Sequence, residues 1–235
     1  MSMPLRHPIL VLSVLLATAF SAMAAAPEPS ASGAPAPWHD SFVTRLEALA
    51  LLQSLNADLL SHDSATLTLD RWCGAHHLAD PATITAERMH DVDKPPTAAQ
   101  RELLHVSPTE PVGYRRVRLH CGTHVLSEAD NWYVPGRLTA EMNQNLDHSD
   151  IAFGRAVQAL QFQRHTLTAT LLWMPLPADW ETKATPVRAH AGTLEVPPYV
   201  LQHTAVLSLP DGTPISTLTE TYTAEVLAFA QPGPL

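Results

Sequence analysis

Two charged residues stand on the wrong side of their strands. In Tyr114-Arg115-Arg116-Val117-Arg118-Leu119, alternate side chains point to opposite faces. Val117 and Leu119 define the apolar face. Arg115 shares it, while Arg116 and Arg118 point the other way. An arginine turned toward a core needs an anionic partner, because burying an unpaired charge costs several kcal/mol. The stretch Ile215 to Tyr222 poses the complementary puzzle: Leu218 and Tyr222 mark its apolar side, and Glu220 lies between them on that side. Three arrangements satisfy the pattern. One is an internal Arg115–Glu220 salt bridge. Another has both side chains snorkelling at a sheet edge. The third is a pocket floored by the sheet, with Arg115 holding a ligand carboxylate and Glu220 acting as an acid. A carboxyl group among apolar neighbours tends to stay protonated and can donate to a leaving oxygen.

The elements that position these residues are legible in outline. Ser41 to Leu60 has apolar residues close to helical spacing, so one or two helices open the domain. Tyr114 to Leu119 reads as a strand, Gly122 as a turn, and Val125 to Val134 as an antiparallel return that Pro135 ends. Leu138 to Leu146 reads as a helix capped by Thr139, and Phe153 to Phe162 as a second short helical pattern. Thr166 to Trp173 alternates as a strand. Val200 to Leu209 and Ile215 to Tyr222 form a hairpin around Pro210-Asp211-Gly212-Thr213. Strands joined by hairpins, with helices grouped rather than interleaved, predict an α+β fold.

The first residues read as an address. Arg6 supplies a positive start, Ile9 to Phe20 is an apolar run too short to span a bilayer, and Ala22-Met23-Ala24 offers a cleavage pattern. Residues 1–24 are thus expected to be a secretory signal, residues 25–37 a disordered Ala/Pro-rich leader, and residues 38–229 one domain in the periplasm or outside the cell. The formal charge of −9, from 14 Lys plus Arg against 23 Asp plus Glu, argues against nucleic-acid binding. After signal removal no membrane association is expected, and the protein is expected to be a monomer.

Cys73 and Cys121 would sit in an oxidising compartment, where a disulfide is the default. In the chain-entropy model its 48-residue loop is worth on the order of 4 kcal/mol. Cys73-x-x-His76-His77 and His120-x-x-x-His124 resemble fragments of metal sites, but neither completes a ligand set, so no metal is expected. His203 alternates with apolar residues and fits a hydrogen-bonded sheet histidine. Trp132, Tyr133, Trp173 and Trp180 are expected to pack the core or cover a pocket. Hydrolase-elbow, zincin, P-loop and dinucleotide motifs do not occur.

Four pieces in order carry a resemblance. They are Gly113-Tyr-Arg-Arg-Val-Arg-Leu, Val125-Leu-Ser-Glu-Ala-Asp-Asn-Trp-Tyr-Val-Pro135, Phe153-Gly154-Arg155, and Gly212-Thr-Pro-Ile-Ser-Thr-Leu-Thr-Glu220. Together they resemble the chorismate lyases, bacterial 4-hydroxybenzoate synthases, over about Leu59 to Leu227. The resemblance implies a six-stranded antiparallel sheet with helices packed on one side and over a pocket. It carries the family's substrate-carboxylate arginine onto Arg115 and its catalytic glutamate onto Glu220, with a backbone contact near Phe153, before Gly154. The family's pocket-entrance methionine falls at about Ala65, and a pocket-lining glycine is replaced near Asp130. Both positions therefore count as substrate-binding candidates, and an Asp there would narrow an anion site or repel a dianion. The implied reaction needs no cofactor: chorismate loses its enolpyruvyl group as pyruvate, and the ring aromatises to 4-hydroxybenzoate. Unlike this chain, the familiar members act in the cytoplasm. The fold also resembles the effector-binding domains of GntR-type regulators, which hold small ligands and do no chemistry. The alternative function is thus a non-catalytic periplasmic binder of an aromatic or carboxylate ligand.

Overall fold

Six strands form one antiparallel sheet in the computed structural model, which describes residues 38–182 and 192–231. The expected signal and leader, residues 1–37, lie outside the described residues. In chain order the elements are α1 (Phe42–Ser61), α2 (Ala65–Ala75), β1 (Ile84–Met89), α3 (Ala98–Leu103), β2 (Gly113–Cys121) and β3 (His124–Tyr133). There follow α4 (Ala140–His148), α5 (Phe153–Ala156), β4 (Gln163–Leu171), β5 (Tyr199–Ser208) and β6 (Pro214–Thr223). The sheet order is β1-β2-β3-β6-β5-β4, and every pair is antiparallel. The fold is α+β, as the grouping of hairpins and helices predicts. Its described residues fall within one compact unit, Pro35–Leu235.

Local chemistry sets the element ends. Ser41 caps α1 by accepting from the Thr44 N–H at 3.1 Å, and Thr139 caps α4 through the Met142 N–H at 3.1 Å. Gly122 takes φ +57° at the β2–β3 turn, a conformation that a side chain disfavours. Two expectations are corrected. The Phe153–Phe162 pattern is not one helix: α5 ends at Ala156, a 3₁₀ turn follows at Gln158–Leu160, and Gln161 is left-handed at φ 52°. The fourth strand begins at Gln163 rather than Thr166 and ends at Leu171.

Helices α1, α2, α4 and α5 cover one face of the sheet in two groups. Leu52, Leu55 and Leu59 of α1 and Leu69 and Trp72 of α2 pack on Leu119, Leu201 and Tyr222. Met142 of α4, with Val157 and Phe162, packs on Leu207, Ile215 and Leu218. The Cys73–Cys121 disulfide ties α2 to the end of β2, its Cα atoms 6.1 Å apart. On the opposite face Leu104, Trp132 and Val134 form a small separate cluster. Trp132 therefore packs away from the helices and donates from its indole N–H to the Lys94 carbonyl at 2.8 Å. Among the described residues no helix is long and apolar enough to cross a membrane.

Candidate functional site

The seam between the two helix groups holds a cavity of about 520 Å³, its mouth included. The sheet supplies its floor: Arg115, Val117 and Leu119 from β2, Ala129 and Asn131 from β3, Leu218 and Glu220 from β6, Leu207 from β5 and Arg164 from β4. The roof comes from Asp63, Ser64, Ala65 and Thr66 at the start of α2, Phe153 and Gly154 at the start of α5, and Phe162.

Arg115 is 2% exposed and lacks an acidic partner among the described residues. One Nη2–H reaches the Ile151 carbonyl at 3.4 Å, a weak contact, while Nε and Nη1 find no acceptor. Burial first, and the nearby Arg88 second, pull this guanidinium below the usual arginine range. Asp147 and Asp150 lie in the neighbourhood, but neither forms an ion pair with it, and Asp147 sits 3.9 Å from Arg88. A buried cation with two donor atoms that meet no acceptor among the described residues thus lines the cavity.

Glu220 sits on the same floor, 6% exposed. Its partner is not Arg115 but Arg164, whose Nη2 lies 2.7 Å from Oε2. The Tyr222 hydroxyl donates to the same oxygen at 3.0 Å. Glu220 is thus half of an ion pair rather than a lone carboxyl among apolar side chains. Burial works against the charge of Arg164, but the adjacent Glu220 outweighs it and raises the guanidinium above its ordinary range. The register explains why Arg115 and Glu220 stay apart. Arg115 pairs with Asn131, and Asn131 with Leu218, two residues short of Glu220. Two interstrand spacings and a two-residue offset put the Cα atoms roughly 12 Å apart, enough for a small ring between the side chains.

Arg164 was not found by reading residue faces, because the predicted strand began two residues beyond it. Extending that alternation back to Gln163 would still turn Arg164 outward, because the inward face switches parity within β4. Three of the four roof and floor candidates from the resemblance, Phe153, Gly154 and Ala65, line the cavity. Asp130 does not. The two-residue period of β3 gives the cavity Ala129 and Asn131 and turns Asp130 to the opposite face, where Lys94 Nζ meets it at 2.7 Å and the Tyr114 hydroxyl at 2.5 Å. It can neither narrow the cavity nor repel an anion in it. Asn131 accepts from the Ser216 hydroxyl and so keeps its amide fixed at the floor.

Gly154 approaches α2 closely: a Cβ there would lie 2.9 Å from Ser64 Oγ and 3.1 Å from Thr66 Oγ1. The next residue, Arg155, locks the two roof segments together by gripping Asp70 of α2 at 2.7 Å. Asp70 also accepts the Ile84 N–H at 2.7 Å. The Phe-Gly-Arg run thus builds the roof rather than reaching the floor with its charge.

The histidine fragments do not assemble. His120 pairs with Glu87 at 3.0 Å and His124 with Glu225 at 2.6 Å. His76 stacks between Trp72 and Phe229. Cys73 is in the disulfide, and no metal-holding cluster occurs among the described residues. His203, fully buried and opposite Glu220 in the register, bonds Asn56 Oδ1 through Nε2 at 2.8 Å.

Fold and site together define a class: an antiparallel sheet roofed by helices over a cavity lined by two buried arginines. The chain belongs to the same family as the uncharacterized protein y4mC of Sinorhizobium fredii, with 56% identity over 196 residues and 83% of each chain covered. No family model matches the chain. Among solved structures it is similar to PhnF from Mycobacterium smegmatis, with 13% identity and a TM-score of 0.44 over 74% of this chain and 70% of that one. It is also similar to a GntR-family transcriptional regulator from Enterococcus faecalis V583, with 8% identity and a TM-score of 0.38 over 64% of this chain and 99% of that one.

Proposed function

We propose that the cavity binds a small cyclic carboxylate and that the protein is a carbon–oxygen lyase, eliminating pyruvate from chorismate to give 4-hydroxybenzoate. The observation that carries the reading is the buried, acid-free Arg115 guanidinium, set on one floor with Glu220. Arg115 takes the ring carboxylate along the Nη1–Nη2 edge of its guanidinium, where Nη1 finds no acceptor among the described residues. The apolar floor of Val117, Ala129 and Leu218 meets the ring and keeps water away. Glu220, acting as the general acid, delivers a proton from Oε1, which no protein donor reaches among the described residues, to the ether oxygen. The C–O bond breaks with its electron pair going to that oxygen, which takes a proton. The ring carbon bearing the hydroxyl loses one, so protons balance and no cofactor is consumed. Preorganised charge at the departing oxygen lowers the barrier.

The Arg164–Glu220 pair favours one rival. A carboxylate already engaged by a cation and a phenol suits a binder that does no chemistry, and the similar solved structures include a GntR-family transcriptional regulator. The disulfide supports a place outside the reducing cytoplasm, in line with the expected signal.

The purified protein is incubated with chorismate, and pyruvate and 4-hydroxybenzoate are quantified. Production of both is expected, with Glu220→Gln losing about 100-fold or more in kcat and Arg115→Ala mainly raising KM. Absence of aromatic product at high enzyme concentration would refute the lyase reading. Thermal shift with 4-hydroxybenzoate would then test the binder.

A further inference from the structure

The cavity carries a second cation at the end away from Arg115, and Glu220 uses only part of it. Of the five N–H donors of Arg164, one on Nη2 goes to Glu220 at 2.7 Å and Nε makes a long 3.4 Å contact with Thr166 Oγ1. Nη1 has no partner among the described residues, although the side chain is only 3% exposed. The start of α2 lies at the same end: the Arg164 backbone N–H donates to Asp63 Oδ1 at 2.8 Å, one residue before the Ser64 cap. The first amides of this 11-residue helix lack intrahelical acceptors, and Ala65 and Thr66 line the cavity. The one acid at that end besides Glu220 is Asp63, which is exposed at the mouth and screened by water.

We infer that Arg164, with the N-terminus of α2, holds a second anionic group of the ligand, so that the cavity selects dianions over monoanions. Arg115 fixes the ring carboxylate and Arg164 the carboxylate on the ether side chain. This assigns Arg164 as a specificity-determining residue, and it rests on the carboxylate seat proposed for Arg115. Asp130, the acid that would have opposed a dianion, lies on the other face of the sheet.

Two non-reacting probes test it by isothermal titration calorimetry: benzoate, and 3-(carboxymethoxy)benzoate, a stable dianion with an ether-linked second carboxylate. The wild type is expected to bind the dianion at least about tenfold tighter. Glu220→Gln keeps that preference. The double variant Arg164→Met with Glu220→Gln, which orphans neither partner, is expected to lose it while its benzoate affinity stays within about threefold of the wild type. Equal affinities for the two probes in the wild type would overturn the inference, as would a preference that survives in the double variant. If folded protein binds neither probe, the carboxylate seat falls and takes this inference with it. If the preference is present but chorismate is not turned over, only the lyase reading falls.

Discussion

Arg115 and Arg164 are buried in one cavity, on strands four places apart in the sheet, and they differ in one respect. Among the described residues, Arg164 is matched by a carboxylate and Arg115 is not. The pair at one end is a structural solution that also keeps donors to spare. The guanidinium at the other end bears the cost of burial with no acid to offset it among the described residues, as the proposed carboxylate seat requires. The two ends should therefore answer mutation with opposite signs. Arg164→Met leaves the Glu220 carboxylate buried with Tyr222 alone, and is expected to cost about 3–5 kcal/mol in urea unfolding. Adding Glu220→Gln should recover most of that loss. An Arg164→Met protein as stable as its parent would show that the pair holds nothing together.

Arg115→Met is expected to do the reverse. It removes a guanidinium whose burial already weakens its hold on the proton, and fills the space with a flexible apolar chain. In buffers free of carboxylates it should stabilise the protein by about 1–3 kcal/mol, while benzoate binding disappears. A destabilised Arg115→Met variant would mean that the arginine serves the fold.

This contrast was half visible in the residues alone. The two-residue period of β2 and β6 was clean, so Arg115 and Glu220 could each be assigned to the apolar face without knowing the other. Their relation could not, because it depends on which strands lie between them and on a register fixed by long-range pairing. Arg164 was hidden for a sharper reason. The register of β4 shifts between Thr166 and Thr168, so inward positions are even-numbered before the shift and odd-numbered after it. Alternation read from Thr166 onward follows the second half and says nothing true about the first. Leu167 falls in the gap and is 41% exposed. Asp130 failed by one residue, the unit by which a strand swaps faces. The edge strand β1 turns Ile84, Ala86 and Arg88 inward, and two apolar residues are too little signal to mark it.

The paired end also has a neutral member. His203 opposes Glu220 across β5 and β6, yet burial pulls its pKa from 6.5 to about 4, against the pull of Glu220. The folded state thus binds this proton less readily than the unfolded chain. The stability His203 contributes is complete above about pH 6.5 and is lost as pH falls toward about 4. Between pH 7 and pH 5 this amounts to about 2 kcal/mol. In guanidinium chloride unfolding, His203→Gln should flatten the pH dependence over that interval by this amount. Identical slopes for variant and parent would remove His203 from the account.

The smallest effect is expected where the arginines are most numerous. On the outer face, Arg116 and Arg118 each reach Glu128 at 3.2 Å, and the Tyr199 hydroxyl donates to it at 3.2 Å. Burial works to raise the Glu128 carboxyl, but these three donors hold it below its ordinary range. Arg118 is itself 40% exposed, so water competes for every bond it makes. Arg118→Gln should therefore cost no more than about 0.5 kcal/mol at low salt, and nothing measurable near 1 M salt, where screening is nearly complete. The same run of residues, Arg115-Arg116-Val117-Arg118, would then contain an arginine whose removal strengthens the fold and one whose removal is barely felt. A cost for Arg118→Gln comparable with that for Arg164→Met would break the distinction, because the wet face would then hold its charges as tightly as the enclosed one.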